Sequence, residues 1–286
     1  MSQIAELVAE ELAQPVDPLV RAMAAALAAK YPGAARAILF YGSCLRESQL
    51  DGLMLDFYLI VSDYETAYGE GWLARANRLI PPNVFPFEHD GLMAKYAVLS
   101  EADFHRLNGP ETRNVSVWAR FAQPARLVWH ADDAAQETAV ASVSRAAPTL
   151  LAAAGAVDGE APLDWWRRAF ALTYSVELRA ERKSRSDSVV DADPSRYERF
   201  SGPAIAAIPS NAISGNWSRR RLEGKLLSVA RLAKAAFTYS GGIDYLAWKI
   251  NRHAGTQIEI KPWQRKWPLL AALVLVPKLL AKGAVR

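Results

Sequence analysis

The length, composition and charge of the chain exclude several classes of protein. Its 286 residues are enough for two domains of ordinary size, and 51% hydrophobic with 22% charged residues is a globular composition rather than a disordered one. The single cysteine, Cys44, excludes an intramolecular disulfide and a cysteine-based zinc cluster. No run reaches the roughly 18–20 apolar residues that a membrane-spanning helix needs.

Charge is distributed unevenly along the chain. From Trp217 to Arg286 there are 14 Lys or Arg residues against 3 Asp or Glu, whereas residues 1–216 carry 20 against 27. A basic segment on an otherwise acidic chain predicts an anionic partner, which can be a membrane surface, a nucleic acid or phosphate groups; the alternative is a solvated face. The N-terminal residues have no basic or arginine-rich leader character, so no secretory or organellar targeting is predicted.

The first half of the chain predicts a small mixed sheet with helices on one side. In chain order, the predicted elements are two helices over 3–30 divided by Pro15 and Pro18, strands Ala37–Tyr41 and Leu55–Ser62, helix Tyr64–Leu79, strands Val84–Glu88 and Leu92–Leu99, helix Glu101–Leu107 and strand Ala125–Trp129. Asp90-Gly91 is a strong hairpin signal, because both turn positions tolerate positive φ. This order of elements predicts an α+β fold.

The second half of the chain is predicted to be mostly helical. The predicted elements are helices over 133–154 and 163–183, an exposed loop Ser184–Asp193, a basic helix Leu222–Thr238 and a helix Tyr245–Arg252. We therefore expect a first domain over 1–140, a helical domain over 141–255 and a basic amphipathic segment over 256–286.

Residues 40–61, FYGSCLRESQLDGLMLDFYLIV, have the layout of a nucleotidyltransferase active site. In such a site a Gly-Ser turn holds a triphosphate, since glycine lets the backbone approach closely and the serine hydroxyl adds a donor. Ten residues separate Ser43 from Met54-Leu55-Asp56, so Asp56 takes the place of the second acid of an acid-x-acid pair. The alternative is an incidental turn and strand.

One carboxylate is few for a magnesium site, which normally takes two or more oxygen ligands from the protein. Met54 stands where the first acid of the pair would be, and Asp51 and Asp90 are predicted to be turn residues. Glu88 has equal chances of pointing toward the site or away from it. The residues alone therefore leave the site incomplete.

An ordered series of motifs carries a family resemblance. The motifs are FYGSCLRES, MLDFYLIV, HDGLMAKYAVLS, WARFAQPARLVW, LTYSVELRAERKS and PSRYERF. Together they resemble the mitochondrial-type phosphatidate cytidylyltransferases, which are the CDP-diacylglycerol synthases of the translocator assembly and maintenance family. A Met before a single Asp is this family's own pattern. The chain departs from the family at Val176 and Glu177, where a Gly and an Asp are usual.

The resemblance implies a polymerase-beta-like nucleotidyltransferase domain followed by a helical domain, with the site between them. It implies Mg²⁺ or Mn²⁺ held by Asp56 and Glu177, with Lys95 as a catalytic phosphate-binding residue. The implied nucleotide-binding residues are Tyr41, Gly42, Ser43, Arg179 and Lys183. For the residues after Val176, the alternative is a solvated helix face. The implied substrates are CTP and phosphatidic acid, and no nucleic acid is expected.

The C-terminal segment KPWQRKWPLLAALVLVPKLLAKGAVR predicts contact with a membrane surface. Trp263 and Trp267 stand beside Arg265 and Lys266, ahead of the apolar stretch Leu269–Val276. This stretch is too short to span a bilayer, but it can lie in the interface with Trp at headgroup depth and basic side chains on anionic lipid. The alternative is an amphipathic helix docked on the protein's own core.

The resemblance implies a CTP:phosphatidate cytidylyltransferase of phospholipid biosynthesis, and together with the C-terminal segment it predicts a protein that is peripheral on the cytoplasmic face of the inner membrane. Its products would be CDP-diacylglycerol and pyrophosphate. One rival is a nucleotidyltransferase of the same fold that acts on another acceptor. The other is a non-catalytic, membrane-associated nucleotide-binding protein, which a single strand carboxylate would allow.

Overall fold

A computed structural model of the chain describes residues 2–46, 50, 52–176, 189–209, 216–238 and 259–266. The predicted helix Tyr245–Arg252 lies outside these residues, as does the end of the predicted helix 163–183. The described part has one mixed sheet in its first half and helices in its second half, which confirms the predicted α+β class.

Five strands form the sheet in the order β3-β4-β2-β1-β5. They are β1 (Ala35–Tyr41), β2 (Met54–Val61), β3 (Asn83–His89), β4 (Leu92–Ser100) and β5 (Ala125–His130). Strands β2 and β4 run parallel, and the other neighbouring pairs are antiparallel. All five predicted strands are therefore present, and the parallel pair lies next to the antiparallel β1–β2 pair.

The described helices precede, interrupt and follow the sheet. They are α1 (Gln3–Leu12), α2 (Pro18–Ala29), α3 (Tyr64–Tyr68), α4 (Trp72–Leu79), α5 (Glu101–Asn108), α6 (Trp118–Phe121), α7 (Asp133–Val143), α8 (Ala146–Ala154), α9 (Pro162–Tyr174), α10 (Pro194–Ala206), α11 (Trp217–Thr238) and α12 (Pro262–Lys266). None of the helices in the described ranges combines the length and apolar character that crossing a bilayer requires.

Helices cover both faces of the sheet, so the prediction of helices on one side is wrong. Side chains alternate between the faces along a strand. Leu39 and Tyr58 pack with α1 and with α5 to α10 on what we call the α1 face. Phe40 and Phe57 pack with α2, α3 and α4 on the opposite, α2 face. The central strands are apolar on both sides, and burying both sides requires helices on each.

Two of the predicted helices are each divided in the structure. The predicted helix Tyr64–Leu79 is interrupted at Gly69, which has φ +70°, so that α3 ends before it and α4 begins at Trp72. The predicted helix 133–154 is divided between α7 and α8. Periodicity alone does not distinguish two short consecutive helices from one long helix.

The described part of the predicted loop Ser184–Asp193 contains core residues. Val189 and Val190 are 6% and 0% exposed, so the prediction of an exposed loop is wrong for them. Helix α10 follows, and the Asp193 carboxylate caps it by accepting the Arg196 backbone N–H at 3.1 Å. The polar neighbours of the two valines hid their contribution to the core.

The Asp90-Gly91 hairpin is confirmed. Both residues have positive φ, 47° and 75°, which is the backbone of a tight turn between twisted strands. The turn fixes the register of β3 on β4, and it thereby places Pro86 opposite Lys95.

A buried ion pair joins α1 to α10. The Arg196 guanidinium donates both to the Glu11 carboxylate and to the Ala122 carbonyl oxygen, the latter at 3.1 Å, and both charged residues are 5% exposed. Removing one partner of such a pair costs about 3–5 kcal/mol.

The core on the α1 face includes residues from both sides of the predicted domain boundary. One group of buried residues contains the α1 face of the sheet and helices α7 to α10. The domain boundary near residue 140 stays a prediction.

Candidate functional site

Three of the predicted site residues are side-by-side neighbours on the α1 face. Tyr41, the last residue of β1, pairs with Asp56 on β2, and Asp56 pairs with Lys95 on β4. Directly paired residues point to the same side of a sheet and lie about 5 Å apart. The strand pairing therefore forms a row of a phenol, a carboxylate and an ammonium.

Asp56 and Lys95 form an ion pair at the centre of this row. Lys95 Nζ lies 3.0 Å from Asp56 Oδ1, and the two side chains are 27% and 21% exposed. Because both groups are partly withdrawn from solvent, their attraction is screened less than that of a surface pair. The structure thus brings together two residues that the family resemblance implied for catalysis.

The Gly-Ser turn lies directly against the Asp56 carboxylate. Gly42 has φ +96°, and a Cβ built on it would lie 3.4 Å from Asp56 Oδ2. Ser43 then begins a short 3₁₀ helix, Ser43–Arg46, with its side chain exposed. A turn without a side chain at this point leaves the backbone open to a ligand on the same side as the carboxylate.

A cavity of about 160 Å³ adjoins the row on the α1 face. Its cationic lining residues are Lys95, Arg120, Arg231 and Lys234, and its polar lining residues are Tyr41, Tyr58 and Ser116. The remaining wall is apolar and includes Pro82, Val84 and Ala97. Among the described residues that line the cavity, none is acidic.

Helix α11 supplies two of these cations by packing across β3. Arg231 donates from Nε to the Pro81 carbonyl oxygen at 2.9 Å and from Nη1 to Ser116 Oγ at 3.0 Å. Lys234 donates from Nζ to the Pro82 carbonyl oxygen at 2.8 Å and also to the Ile80 carbonyl oxygen. Burial, reinforced by the nearby Arg231 guanidinium, lowers the pKa of the Lys234 ammonium to about 7.

Sequence reasoning missed the three cations Arg120, Arg231 and Lys234 as site residues. Arg120 stands within the WARFAQPARLVW motif, but no role was assigned to it. The segment 222–238 was predicted as a basic helix, and Arg231 and Lys234 are three residues apart, which puts them on one face of it. This spacing was the signal in the sequence that could have identified the two residues as a pair. The sequence around them does not show that this face of the helix contacts β3.

Several predicted site residues are not tested by the structure. Glu177, Arg179, Lys183 and Trp267 lie outside the described residues. The backbone of Arg265 and Lys266 belongs to α12, but their side chains are also outside the description. Trp263, in the same helix, is described and is 42% exposed.

The metal-ligand set is incomplete within the described part of the chain. No group of three His, Cys, Asp or Glu side chains in these ranges is close enough to hold a metal ion. Asp51 lies outside the description, and the Asp90 side chain is 67% exposed on its hairpin. Glu88 lies opposite Met93, on the same face as Lys95, but is exposed. Asp56, already paired with an ammonium, does not by itself fit Mg²⁺.

Comparison with known proteins finds similarity among solved structures. No family model matches the chain, and no curated protein matches it. Among solved structures, the chain is similar to the crystal structure of a nucleotidyltransferase-like protein from Exiguobacterium sibiricum 255-15, with 12% sequence identity and a TM-score of 0.28. The likeness covers 92% of this chain and 90% of that chain. A likeness at this level assigns no activity, substrate or cofactor to the present chain.

Substituting Gly42→Ala is expected to destabilise the protein. A side chain at φ +96° strains the backbone, so we expect the free energy of unfolding in urea to fall by about 1 kcal/mol or more. Gly202→Ala is the matched control, because that glycine lies within α10 with open space around its Cβ position, where alanine should stabilise the helix. Equal stability of Gly42→Ala and the wild type would contradict the strained turn.

Proposed function

We propose that the chain is a nucleotidyltransferase that transfers CMP from CTP to phosphatidic acid, with CDP-diacylglycerol and pyrophosphate as products. One observation carries the proposal: the Gly42 turn lies against a strand carboxylate, Asp56, that is paired with a strand ammonium, Lys95. An open backbone turn and an ammonium suit phosphate oxygens, and the carboxylate between them would be one of the two or more oxygen ligands that a metal ion accompanying a triphosphate needs.

The proposed residues act by positioning and by neutralising charge. Backbone N–H groups of the Gly42-Ser43 turn would hold the triphosphate, and Lys95 would neutralise a phosphate oxygen beside Asp56. An oxygen of the acceptor phosphate forms a bond to the α-phosphorus of CTP, and the bond from that phosphorus to the β-phosphate oxygen breaks to release pyrophosphate. The acceptor phosphate is already ionised, so no strong base is required.

We propose that Glu177 completes the metal site that the described residues leave incomplete. Together with Asp56 it would give Mg²⁺ or Mn²⁺ two carboxylates, and such an ion neutralises charge on the phosphates of a nucleotide. Arg179 and Lys183, which follow Glu177 in the sequence, are proposed to neutralise further phosphate charge. The departure from the Asp that is usual at this position makes Glu177 the residue to test first.

Asp56→Asn is expected to abolish transfer while the fold is retained. Purified protein with labelled CTP, Mg²⁺ and phosphatidic acid should yield labelled CDP-diacylglycerol. The substitution should lower the rate by at least about 100-fold, since Asp56 is a proposed ligand of the metal ion that neutralises phosphate charge in the transition state. Asp90→Asn is the matched control, because its exposed hairpin carboxylate lies outside the site, and it should keep the wild-type rate. Glu177→Gln should resemble Asp56→Asn.

Each result of this assay discriminates between the proposal and its rivals. Release of pyrophosphate with another phosphorylated or hydroxylated acceptor, but not with phosphatidic acid, would favour a nucleotidyltransferase of different specificity. Inertness toward every acceptor, with Asp56→Asn leaving CTP affinity unchanged, would favour the non-catalytic rival. A Glu177→Gln enzyme with full activity would remove Glu177 from the metal site and leave Asp56 without its proposed partner.

A lipid acceptor requires access to a membrane, and we propose that residues 256–286 provide it. The exposed Trp263 and the excess of basic over acidic residues in the C-terminal part of the chain support this proposal. Indole rings favour the headgroup region, and each basic residue near an anionic surface contributes on the order of 1 kcal/mol. The proposed location is the cytoplasmic face of the inner membrane, with the protein bound peripherally.

Removing residues 263–286 is expected to abolish co-sedimentation with liposomes that contain anionic lipid. A Trp263→Ser, Trp267→Ser double variant of the full chain should weaken the same binding, because the indole rings are lost while the basic residues remain. Trp72→Ser is the control, since Trp72 is 52% exposed on α4, outside the segment. Undiminished liposome binding by the truncated protein would show that the membrane contact lies elsewhere.

A further inference from the structure

The cavity on the α1 face has the lining of an anion site. Four of its described lining residues are cationic, contributed by β4, α6 and α11, and no described lining residue is acidic. Several cationic donors around one small space suit a phosphate, whose oxygens accept charge-assisted hydrogen bonds from such groups. The proposed function so far uses only Lys95 of these four residues.

We infer that this cavity binds the phosphate monoester of the acceptor, with Arg231 and Lys234 of α11 as its specific ligands. As an acceptor site the inference rests on the proposed function; as a phosphate site it rests on the cavity alone. The chemical class is a phosphate monoester, which a lipid headgroup and a small soluble metabolite can both provide.

The size of the cavity favours a single phosphate over a nucleotide. Its volume of about 160 Å³ is below the range of about 300–1,000 Å³ that is typical of sites for whole small molecules. One phosphate group with its ester oxygen fits such a space.

The donors of the cavity are held in place before any ligand binds. Ser116 links two of them, because its hydroxyl accepts from Arg231 Nη1 at 3.0 Å and its carbonyl oxygen accepts from Arg120 Nη1. The Ser116 hydroxyl in turn donates to Asn114 Oδ1 at 2.9 Å, and Ser116 is 3% exposed. Side chains fixed in this way lose little further entropy on binding, which favours affinity.

Lys234 is the residue with most to gain from an anion. Its described hydrogen-bond partners are two neutral carbonyl oxygens, those of Ile80 and Pro82. Burial and the nearby Arg231 guanidinium disfavour its charged form and lower its pKa to about 7. A phosphate oxygen beside the ammonium would favour the charged form again, so ligand binding and protonation of Lys234 are expected to reinforce each other.

The position of the cavity relative to the Gly42 turn assigns it to the acceptor rather than to CTP. Tyr41 and Lys95 belong both to the row beside the turn and to the cavity lining. From Lys95 the lining extends along β4 to Ala97, two residues or roughly 7 Å away, and to α11 beyond β3. A nucleotide phosphate at Asp56 and a second phosphate in the cavity would therefore meet at Lys95.

The test measures binding of two phosphate monoesters and of CTP to the full chain by calorimetry. The monoesters are dihexanoyl phosphatidic acid, which is soluble, and glycerol 3-phosphate. Lys234→Met is expected to weaken monoester binding about 10- to 100-fold, the range for one lost charge-assisted hydrogen bond, while CTP affinity changes less than about threefold. Lys234→Arg, which keeps the charge, should retain most of the affinity. Lys225→Met is the control, because Lys225 is exposed on the same helix.

The pattern across ligands and variants decides the inference. Weakened CTP binding with unchanged monoester binding would overturn it and assign the cavity to the nucleotide. Unchanged binding of all ligands to Lys234→Met, with circular dichroism like that of the wild type, would overturn it as well. If Lys234→Met unfolds, Arg231→Gln serves in its place with the same expectations. Monoester binding that depends on Lys234, in a protein that never turns CTP over, would support the phosphate site and refute the proposed function.

Preference between the two monoesters identifies the source of the phosphate. Tighter binding of dihexanoyl phosphatidic acid than of glycerol 3-phosphate would indicate a lipid headgroup with its acyl chains. Equal affinity would indicate a small soluble phosphate monoester, and the phosphate site would stand while the lipid acceptor of the proposed function would not.

Discussion

The parallel pairing of β2 with β4 is the constraint on which the site depends. It sets Asp56 beside Lys95, and the antiparallel pairing of β1 with β2 adds Tyr41 and the Gly42 turn to the same row. A slip of β4 by one residue would turn Lys95 toward the buried α2 face and would bring Tyr96 and Val98 out of it. Burial of apolar side chains on both faces of the sheet fixes the strand register, and this register in turn fixes the positions of Asp56 and Lys95.

The same sheet face explains why the proposed site has two parts. At one end the row beside Gly42 offers an open turn, a carboxylate and an ammonium. Next to β4 in the sheet, β3 packs against α11, which adds Arg231 and Lys234. These two side chains donate to the backbone of residues 80–82, and Arg231 also donates to Ser116. Reactions that join two phosphates need both held close together, and charge neutralisation supplies most of the catalysis. Lys95 is the residue common to both parts.

Features that act over a few residues could be predicted from the sequence, whereas contacts between residues far apart in the chain could not. Pro15 and Pro18 divided the first two helices, and Asp90-Gly91 predicted its hairpin, because each feature acts over a few residues. The contact of Lys234 with Pro82 joins residues 152 positions apart, and no periodicity encodes it. The central strands are apolar on both faces and therefore require helices on each, yet the prediction placed the helices on one side. Because Met54 stands at the position of the first acid, β2 offers the site one carboxylate, that of Asp56. That Glu177 is the second metal ligand stays a prediction.

The central claim is that the phosphate of an acceptor held beside Lys95 attacks the α-phosphorus of CTP. The most direct measurement compares CTP labelled at the α-phosphorus with CTP labelled at the γ-phosphorus, each incubated with the protein, Mg²⁺ and phosphatidic acid. The account predicts that the α label appears in the lipid product and the γ label in pyrophosphate. Transfer of the γ label to the acceptor, or release of the γ label as inorganic phosphate with no α label in the lipid, would contradict it.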